Sequence, residues 1–279
     1  MVPKVASYMT QPVITATSES NLIHVRNLMV RHKIGRVVIV DGGRIVGIIS
    51  KSDFAKLLFN RKRYLKPLDV IPASEIMSTP VYATSPNRSI KFVAKFMAKH
   101  DIGSLPIVDD KGSLYGIITT TDILRAFSER CRGMLSVMDV IYREPPTISP
   151  THSIFNVIDS LVQSKVKKVV VVDGNNRPLG VITRSDVLAL FFNIGTAFRI
   201  GIYHKGVRNI YEIVKSNIMP IASDIMTPDP ITVMPDEDLA KAADIMVKNR
   251  ISCLPVINSK DSLIGIVIKD DIIKAIKSA

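Results

Sequence analysis

The chain has 279 residues, 47% of them hydrophobic and 22% charged. This is a globular composition, long enough for about two domains, and it excludes a disordered chain. No apolar run approaches the roughly 18 residues that span a bilayer, Met1–Thr10 lacks a secretory apolar core, and Cys131 and Cys253 are too few for a disulfide framework or zinc ribbon. A soluble, cytoplasmic protein with no membrane association is therefore expected. The 37 Lys+Arg exceed the 25 Asp+Glu, for a net charge of +12, and residues 1–130 alone hold 19 against 10, a net of +9. Such a balance suits anionic partners: nucleotides, nucleic acid or an acidic protein face.

In chain order, Val13–Ala16 reads as a short extended segment. Leu22–His32 follows with Leu22, Val25, Leu28 and Met29 at helical spacing. Val37–Val40 is a β-branched run suited to a strand buried on both faces. Asp41-Gly42-Gly43 is a turn, Arg44–Ser50 a second strand, and a second helix begins near Ser52 or Asp53. The unit is β-α-β-β-α, in about 60 residues.

The same unit recurs three more times. Its first strand returns at Ile102–Asp109, Val166–Asp173 and Ile251–Asn258, against Ile34–Asp41 in the first copy. A glycine follows each time (Gly47, Gly116, Gly180, Gly265), and an aspartate six residues later (Asp53, Asp122, Asp186, Asp271). Upstream, Thr15, Ala83, Thr147 and Thr232 each precede an apolar helix opening by seven residues. Met9, Met77 and Met226 each lie six residues before that position, while the third copy has Met138 and an insertion before Pro146. The repeats are placed at 1–60, 74–130, 134–192 and 222–279, in modules 1–130 and 131–279. Asn60–Ala73, carrying Arg61-Lys62-Arg63 and Lys66, joins the first two. Asn193–Ala222, with Phe198, Tyr203 and Tyr211, joins the last two and is expected to add helix.

The Met-Thr-x-x-x-x-Thr opening (Met9-Thr10 to Thr15; Met226-Thr227 to Thr232), the Ile-Gly-x-Leu-Pro-Ile-Val-Asp strand and the Gly-x-x-Ser/Thr-x-x-Asp segment resemble CBS (cystathionine-β-synthase) domains. The resemblance covers nearly the whole chain. It implies an α/β fold of four β-α-β-β-α repeats, paired through their sheets into two pseudo-two-fold Bateman modules. It also implies clefts that bind AMP, ADP, ATP or S-adenosylmethionine. Four repeats with no other domain are similar to the nucleotide-sensing γ subunits of AMP-activated kinase.

The chemistry of the Ser/Thr-x-x-Asp segment fits that reading. An ionised carboxylate accepts both hydroxyls of a ribose, the helix start beside it offers free N–H groups to phosphate, and a strand glycine lets a ligand approach the backbone. The same pattern is also an ordinary helix start, in which the hydroxyl and the acid cap the first turn. Repeat 1 has Ser50 and Asp53 with Arg36; repeat 3 has Thr183 and Asp186 with Lys167 and Lys168. In the resembled family, basic residues here reach the phosphates. Repeat 2 has Thr119 and Asp122 but Ser104 in place of the cation. Repeat 4 keeps Asp271 but has Ile268 and Cys253. With Thr15 and Thr147 from the opening segments, these residues make up the expected nucleotide sites, Mg²⁺ entering only with ATP.

The remaining candidates have structural readings. His32 and His100 suit helix C-termini, Met29, Met97 and Met246 suit core packing, and Cys253 reads as a small buried hydrophobe. No nucleophile elbow, Walker loop, HExxH or metal-ligand spacing occurs. The expectation is a non-catalytic sensor that signals to an effector protein or a second copy. The alternatives are a nucleic-acid-binding regulator using the basic N-terminal half, or a sensor of S-adenosylmethionine.

Overall fold

The computed structural model describes residues 3–59, 67–193 and 220–276. The basic run Arg61-Lys62-Arg63 with Lys66, and the segment 194–219 expected to add helix, lie outside the described residues.

Repeat 1 is β1 (Thr15–Ala16), α1 (Leu22–Arg31), β2 (Arg36–Asp41), β3 (Arg44–Ser50) and α2 (Lys51–Phe59). The Asn21 side chain accepts the His24 N–H and starts α1, which buries Leu22, Val25 and Met29. Val37, Val38 and Ile39 are fully buried, as a strand packed on both faces requires. Gly42 and Gly43 both take positive φ, which closes the two-residue hairpin. Repeat 2 has α3 (Ile90–His100), β4 (Ser104–Val108), β5 (Leu114–Thr119) and α4 (Thr120–Arg130). Repeat 3 has β6 (Tyr142–Arg143), β7 (Thr147–Ile148), α5 (Ile154–Gln163), β8 (Lys168–Val172), β9 (Pro178–Thr183) and α6 (Arg184–Asn193). Repeat 4 has the short α7 (Ala222–Ile225), then β10 (Thr227–Pro228), α8 (Leu239–Lys248), β11 (Cys253–Ile257), β12 (Leu263–Ile268) and α9 (Lys269–Ala275).

The residue that ends the first long strand has a local role in three repeats. Asp109 accepts the N–H groups of Lys111 and Ser113, Asp173 those of Asn175 and Arg177, and Asn258 those of Lys260 and Ser262. These side chains shape the hairpin turn.

The repeats complete one another's sheets. The segment after Met9 bridges from Thr10 to Ile117 of repeat 2, and Ser78 bridges back to Ile48 of repeat 1. In the second half, β10 of repeat 4 pairs with β9 of repeat 3, and β6 of repeat 3 pairs with β12 of repeat 4. The strand glycines are sites of close approach for these exchanged segments. Met9 lies on Gly116, Met77 on Gly47 and Met226 on Gly180. A Cβ on Gly116 would fall 2.9 Å from the Met9 sulfur. The role expected for these glycines, admitting a ligand to the backbone, therefore belongs to a methionine of the partner repeat. In repeat 3 the insertion moves the contact to Ile141, which covers Gly265, while Met138 is 43% exposed.

Two further contacts close the molecule. Helix α2 packs on α6, joining repeats 1 and 3. Helix α4 packs on α8 and α9, joining repeats 2 and 4 in one core with Ile123, Phe127, Ala243 and Ile273. Sheet contacts thus run 1–2 and 3–4, and helix contacts run 1–3 and 2–4. Met29, Met97 and Met246 are buried in these cores, as their helical positions indicate. Among the described residues no helix is long and apolar enough to cross a membrane.

Gly180→Val is expected to destabilise the fold by about 1–3 kcal/mol, because the added carbons meet Met226. Combined with Met226→Ala the loss should fall short of the sum of the single losses by about 1 kcal/mol or more, measured by chemical unfolding as a double-mutant cycle. Strict additivity would show that Met226 does not seat on this glycine.

Candidate functional site

The four repeats line a central, half-open cavity of about 900 Å³. All four contribute to its wall, each with the start of its second helix: Ser50–Ser52, Thr119–Asp122, Thr183 with Ser185 and Asp186, and Lys269. Repeats 1 and 4 add their opening segments, Thr10 with Pro12–Ile14, and Thr227 with Asp229–Ile231. They also add the turns before their first long strands, Lys33–Arg36 and Arg250–Cys253. Five cations (Lys33, Arg36, Lys51, Arg250, Lys269) face three carboxylates (Asp122, Asp186, Asp229) on this wall. The helix starts add free N–H groups and positive dipole ends.

The hydroxyl–aspartate pairs form helix starts of one design. Asp53 accepts the Ser50 N–H at 2.8 Å and its hydroxyl at 2.6 Å. Asp122 accepts both from Thr119 at 2.8 Å, and Asp186 accepts both from Thr183 at 2.7 Å. The second oxygens differ. That of Asp53 meets Lys56 and that of Asp122 meets Arg125, whereas Oδ1 of Asp186 has no hydrogen bond among the described residues. Repeat 4, with Ile268 in place of the hydroxyl, leaves the buried Oδ2 of Asp271 without a partner among the described residues. The helix-cap geometry is thus present in the three repeats that carry the hydroxyl.

Of the residues singled out from the sequence, Arg36, Ser50, Thr119, Asp122, Thr183 and Asp186 meet on the cavity wall. Asp53 and Asp271 sit just behind it, on the same helix starts. Thr15 and Thr147 do not reach it: both are exposed and pair in β1 and β7 with Val38 and Val170. The opening-segment hydroxyls on the wall are instead Thr10 and Thr227, directly after the methionines. Lys167 turns outward to a long, exposed ion pair with Asp101 of repeat 2, at 3.6 Å. Lys168 heads β8 opposite Thr183, the place Arg36 takes opposite Ser50. Lys269 was missed by sequence reasoning, because it lies one residue beyond the motif position that repeat 4 has lost. Its signal was there, a lysine at the first helical residue of the only repeat without a capping hydroxyl. Cys253 is buried on the wall, and burial pushes its thiol up to about 11, so it is no thiolate at neutral pH. Among the described residues no group of three or more His, Cys, Asp or Glu side chains could hold a metal ion.

Comparison with known proteins agrees with this architecture. The CBS domain matches residues 5–60, 73–129, 133–193 and 222–278. The chain belongs to the CBS domain family, with four repeats. It is 27% identical over 259 residues to protein MJ1225 of Methanocaldococcus jannaschii, covering 88% of this chain and 89% of that one. The crystal structure of MJ1225, proposed as an archaeal homologue of g-AMPK, superposes with a TM-score of 0.79 over 98% of this chain and 99% of that chain, at 24% identity. A partial likeness, 33% over 124 residues, joins 44% of this chain to 23% of the L-aspartate semialdehyde sulfurtransferase of the same organism.

The cations of the cavity are poorly neutralised. The Arg36 guanidinium lies over Gly103 of repeat 2, where a Cβ would come within 3.0 Å of its nitrogens. It makes no hydrogen bond among the described residues, and burial lowers its pKa against the pull of Asp122, Asp270 and Asp53. Lys269 donates to the Thr121 hydroxyl at 3.0 Å. Burial, then repulsion from Lys168 and Arg36, lowers it to about 8, against attraction by Asp122 and Asp270. Burial also raises the Asp122 carboxyl, although Thr119, Arg125 and Arg36 pull it down.

A lysine whose pKa is depressed in the folded state opposes folding at pH values where it must be charged in both states. That cost is full below pH 8 and fades as pH rises toward the unfolded value near 10.4, because the unfolded chain then binds more protons than the folded one. Lys269→Met should therefore raise stability at pH 7 by about 1–3 kcal/mol, and the advantage should shrink above pH 8. Thermal unfolding of both proteins from pH 6 to pH 10 checks this; an advantage that grows with pH would refute it.

Proposed function

We propose that this chain is a non-catalytic regulatory module that binds adenine nucleotides, AMP, ADP or ATP, in the central cavity. The carrying observation is the pair of under-neutralised wall cations, Arg36 and Lys269, with Lys168 close enough to repel Lys269, gathered where four helix starts converge. Such a place is costly without an anion and favourable with one. Arg36 offers a planar fork of donors, and Lys168 and Lys269 act as point charges on the same phosphates. The capping bonds hold Thr120, Thr121 and Ser185 at the helix starts, where their hydroxyls and N–H groups add donors. Asp186, with a spare carboxylate oxygen, is the best acceptor for a ribose diol. Ile14, Ile34, Ile231 and Ile251 form apolar wall for a base. Mg²⁺ would arrive only with ATP.

S-adenosylmethionine fits this cavity less well, because its sulfonium would join a cluster of like charges. The resemblance to nucleotide-sensing γ subunits supports the phosphate reading from a different direction. The cavity wall comes from all four repeats, so an occupant contacts both modules. Its differential affinity for two ring geometries could then be passed to an effector protein or a second copy.

Thermal unfolding with AMP, ADP, ATP with and without Mg²⁺, and S-adenosylmethionine tests the proposal. A nucleotide at 100 times its Kd should add about 2.7 kcal/mol of stability. Arg36→Ala should remove most of that gain, and Asp186→Asn part of it. If no nucleotide moves the transition, the sensing function fails. If the gain survives both Arg36→Ala and Lys269→Met, the phosphate site is elsewhere.

A further inference from the structure

Repeat 2 differs from its three relatives on the outer face of α3. The inner face buries Ile90, Val93, Ala94 and Met97 in the common core. On the outer face Phe92, Phe96 and His100 follow at four-residue steps, with ring centroids 6.2 Å apart for the first pair and 4.4 Å for the second. Tyr82, from the segment before the helix, meets Phe96 edge-on at 5.3 Å. The Arg88 guanidinium lies 4.9 Å over the Phe92 ring. Beside them a pocket of about 200 Å³ opens between the two phenylalanines, Arg88 and the segment Ala83–Ser85. Phe92 and Tyr82 remain 42% and 46% exposed.

A second stripe, Lys91, Lys95 and Lys99, is exposed next to the rings, and none of the three makes an ion pair among the described residues. The other repeats act as internal controls. In repeat 4 the corresponding helix surface is neutralised by the pairs Lys241–Glu237 at 2.7 Å and Lys248–Asp244 at 2.6 Å. Asp159 and Asp244 stand where repeat 2 has Lys95, and no other repeat places a phenyl ring at the positions of Phe92 and Phe96. The fold therefore requires neither stripe.

We propose that the outer face of α3, with Tyr82 and Arg88, is a binding site for single-stranded nucleic acid. Unpaired cations select an anion, and exposed flat rings select planar groups that can stack on them. The ring stripe runs from Phe92 to His100, eight helical steps or about 12 Å, longer than one nucleotide needs. Bases stacked inside a duplex cannot reach such rings, so the site favours a single strand. A second copy of the same face is excluded by its like charge. The exposed apolar groups of this face are rings, without the aliphatic anchors that seat an amphipathic peptide. This site is separate from the central cavity and does not depend on what fills it.

Fluorescence anisotropy with labelled 12-nucleotide single-stranded DNA and RNA tests the site, with the matching duplex and an acidic peptide as comparators. The intact chain should bind a single strand more tightly than duplex or peptide, with affinity falling as salt rises. Phe92→Leu, which keeps apolar bulk but removes the stacking face, should weaken binding about tenfold. Lys95→Glu should weaken it at least as much, whereas Lys260→Glu, the same charge change in a remote turn, should leave it close to the starting value. Saturating AMP should not displace the strand. Absence of binding at low salt overturns the proposal. So does equal loss in the Lys95 and Lys260 variants with none in Phe92→Leu, which would mark unspecific charge. Tight capture of the acidic peptide without the strand would make this a protein-docking face. Phe92 and Lys95 are both exposed, and unchanged thermal unfolding of their variants keeps a loss of binding interpretable.

Discussion

The exchange of opening segments between paired repeats is the constraint from which the rest of the structure follows. A single repeat has a sheet of only two or three strands of its own, with one edge open, too little for independent stability. Its partner supplies the strand beyond that edge, and the methionine of that strand seats on a glycine because nothing larger leaves room. The exchange is reciprocal, so it imposes a pseudo-two-fold relation within each pair. That relation brings the starts of the second helices toward each other. The two pairs then meet through α2 with α6 and α4 with α8 and α9, and the ring closes around the place where all four helix starts point.

The hydroxyl–aspartate motif acquires a double meaning from this geometry. As a local feature it is a helix cap, and its bonds of 2.6–2.8 Å show the cap fully formed in three repeats. As part of a ring it fixes where the N-terminal N–H groups and neighbouring hydroxyls face. The capping and binding readings are therefore not rivals. The cap is the device that orients the donors, and one carboxylate oxygen is spent on it. The central cations are the counterpart: Arg36 and Lys269 stand half-buried near one another, and the desolvation that lowers both pKa values works against that placement.

The excess positive charge separates into two kinds. The central part is small, drawn from several repeats, and half-buried, so its field acts at short range within the cavity. The part on α3 is exposed, comes from one repeat and lies beside aromatic rings, so it is screened by salt and acts along a length of helix. The four repeats keep the same buried positions but not the same surface, which is how one fold can carry two different chemistries.

Much of the fold is legible from the sequence because it rests on local, repeated signals. The β-branched runs, the Asp or Asn at the hairpin turn, the helix caps and the six-residue step from glycine to aspartate all depend on residues close in the chain. The helix starts of repeats 1 to 3 were readable for the same reason. What the sequence could not decide is which atoms a residue meets across the ring. Gly47, Gly116 and Gly180 read as openings for a ligand and are seats for methionine, and Gly265 is covered by Ile141; Thr15 and Thr147 read as binding groups and are exposed in edge strands. Lys167 and Lys168 are neighbours in sequence, yet one faces an exposed aspartate and the other the central charges. Lys269 joins Arg36 only because repeats 1 and 4, which share no sheet, face each other across the cavity. Local patterning determines the repeat, but the site is made of contacts between different repeats, such as Arg36 with Gly103 and Lys269 with Thr121, and only tertiary packing sets them.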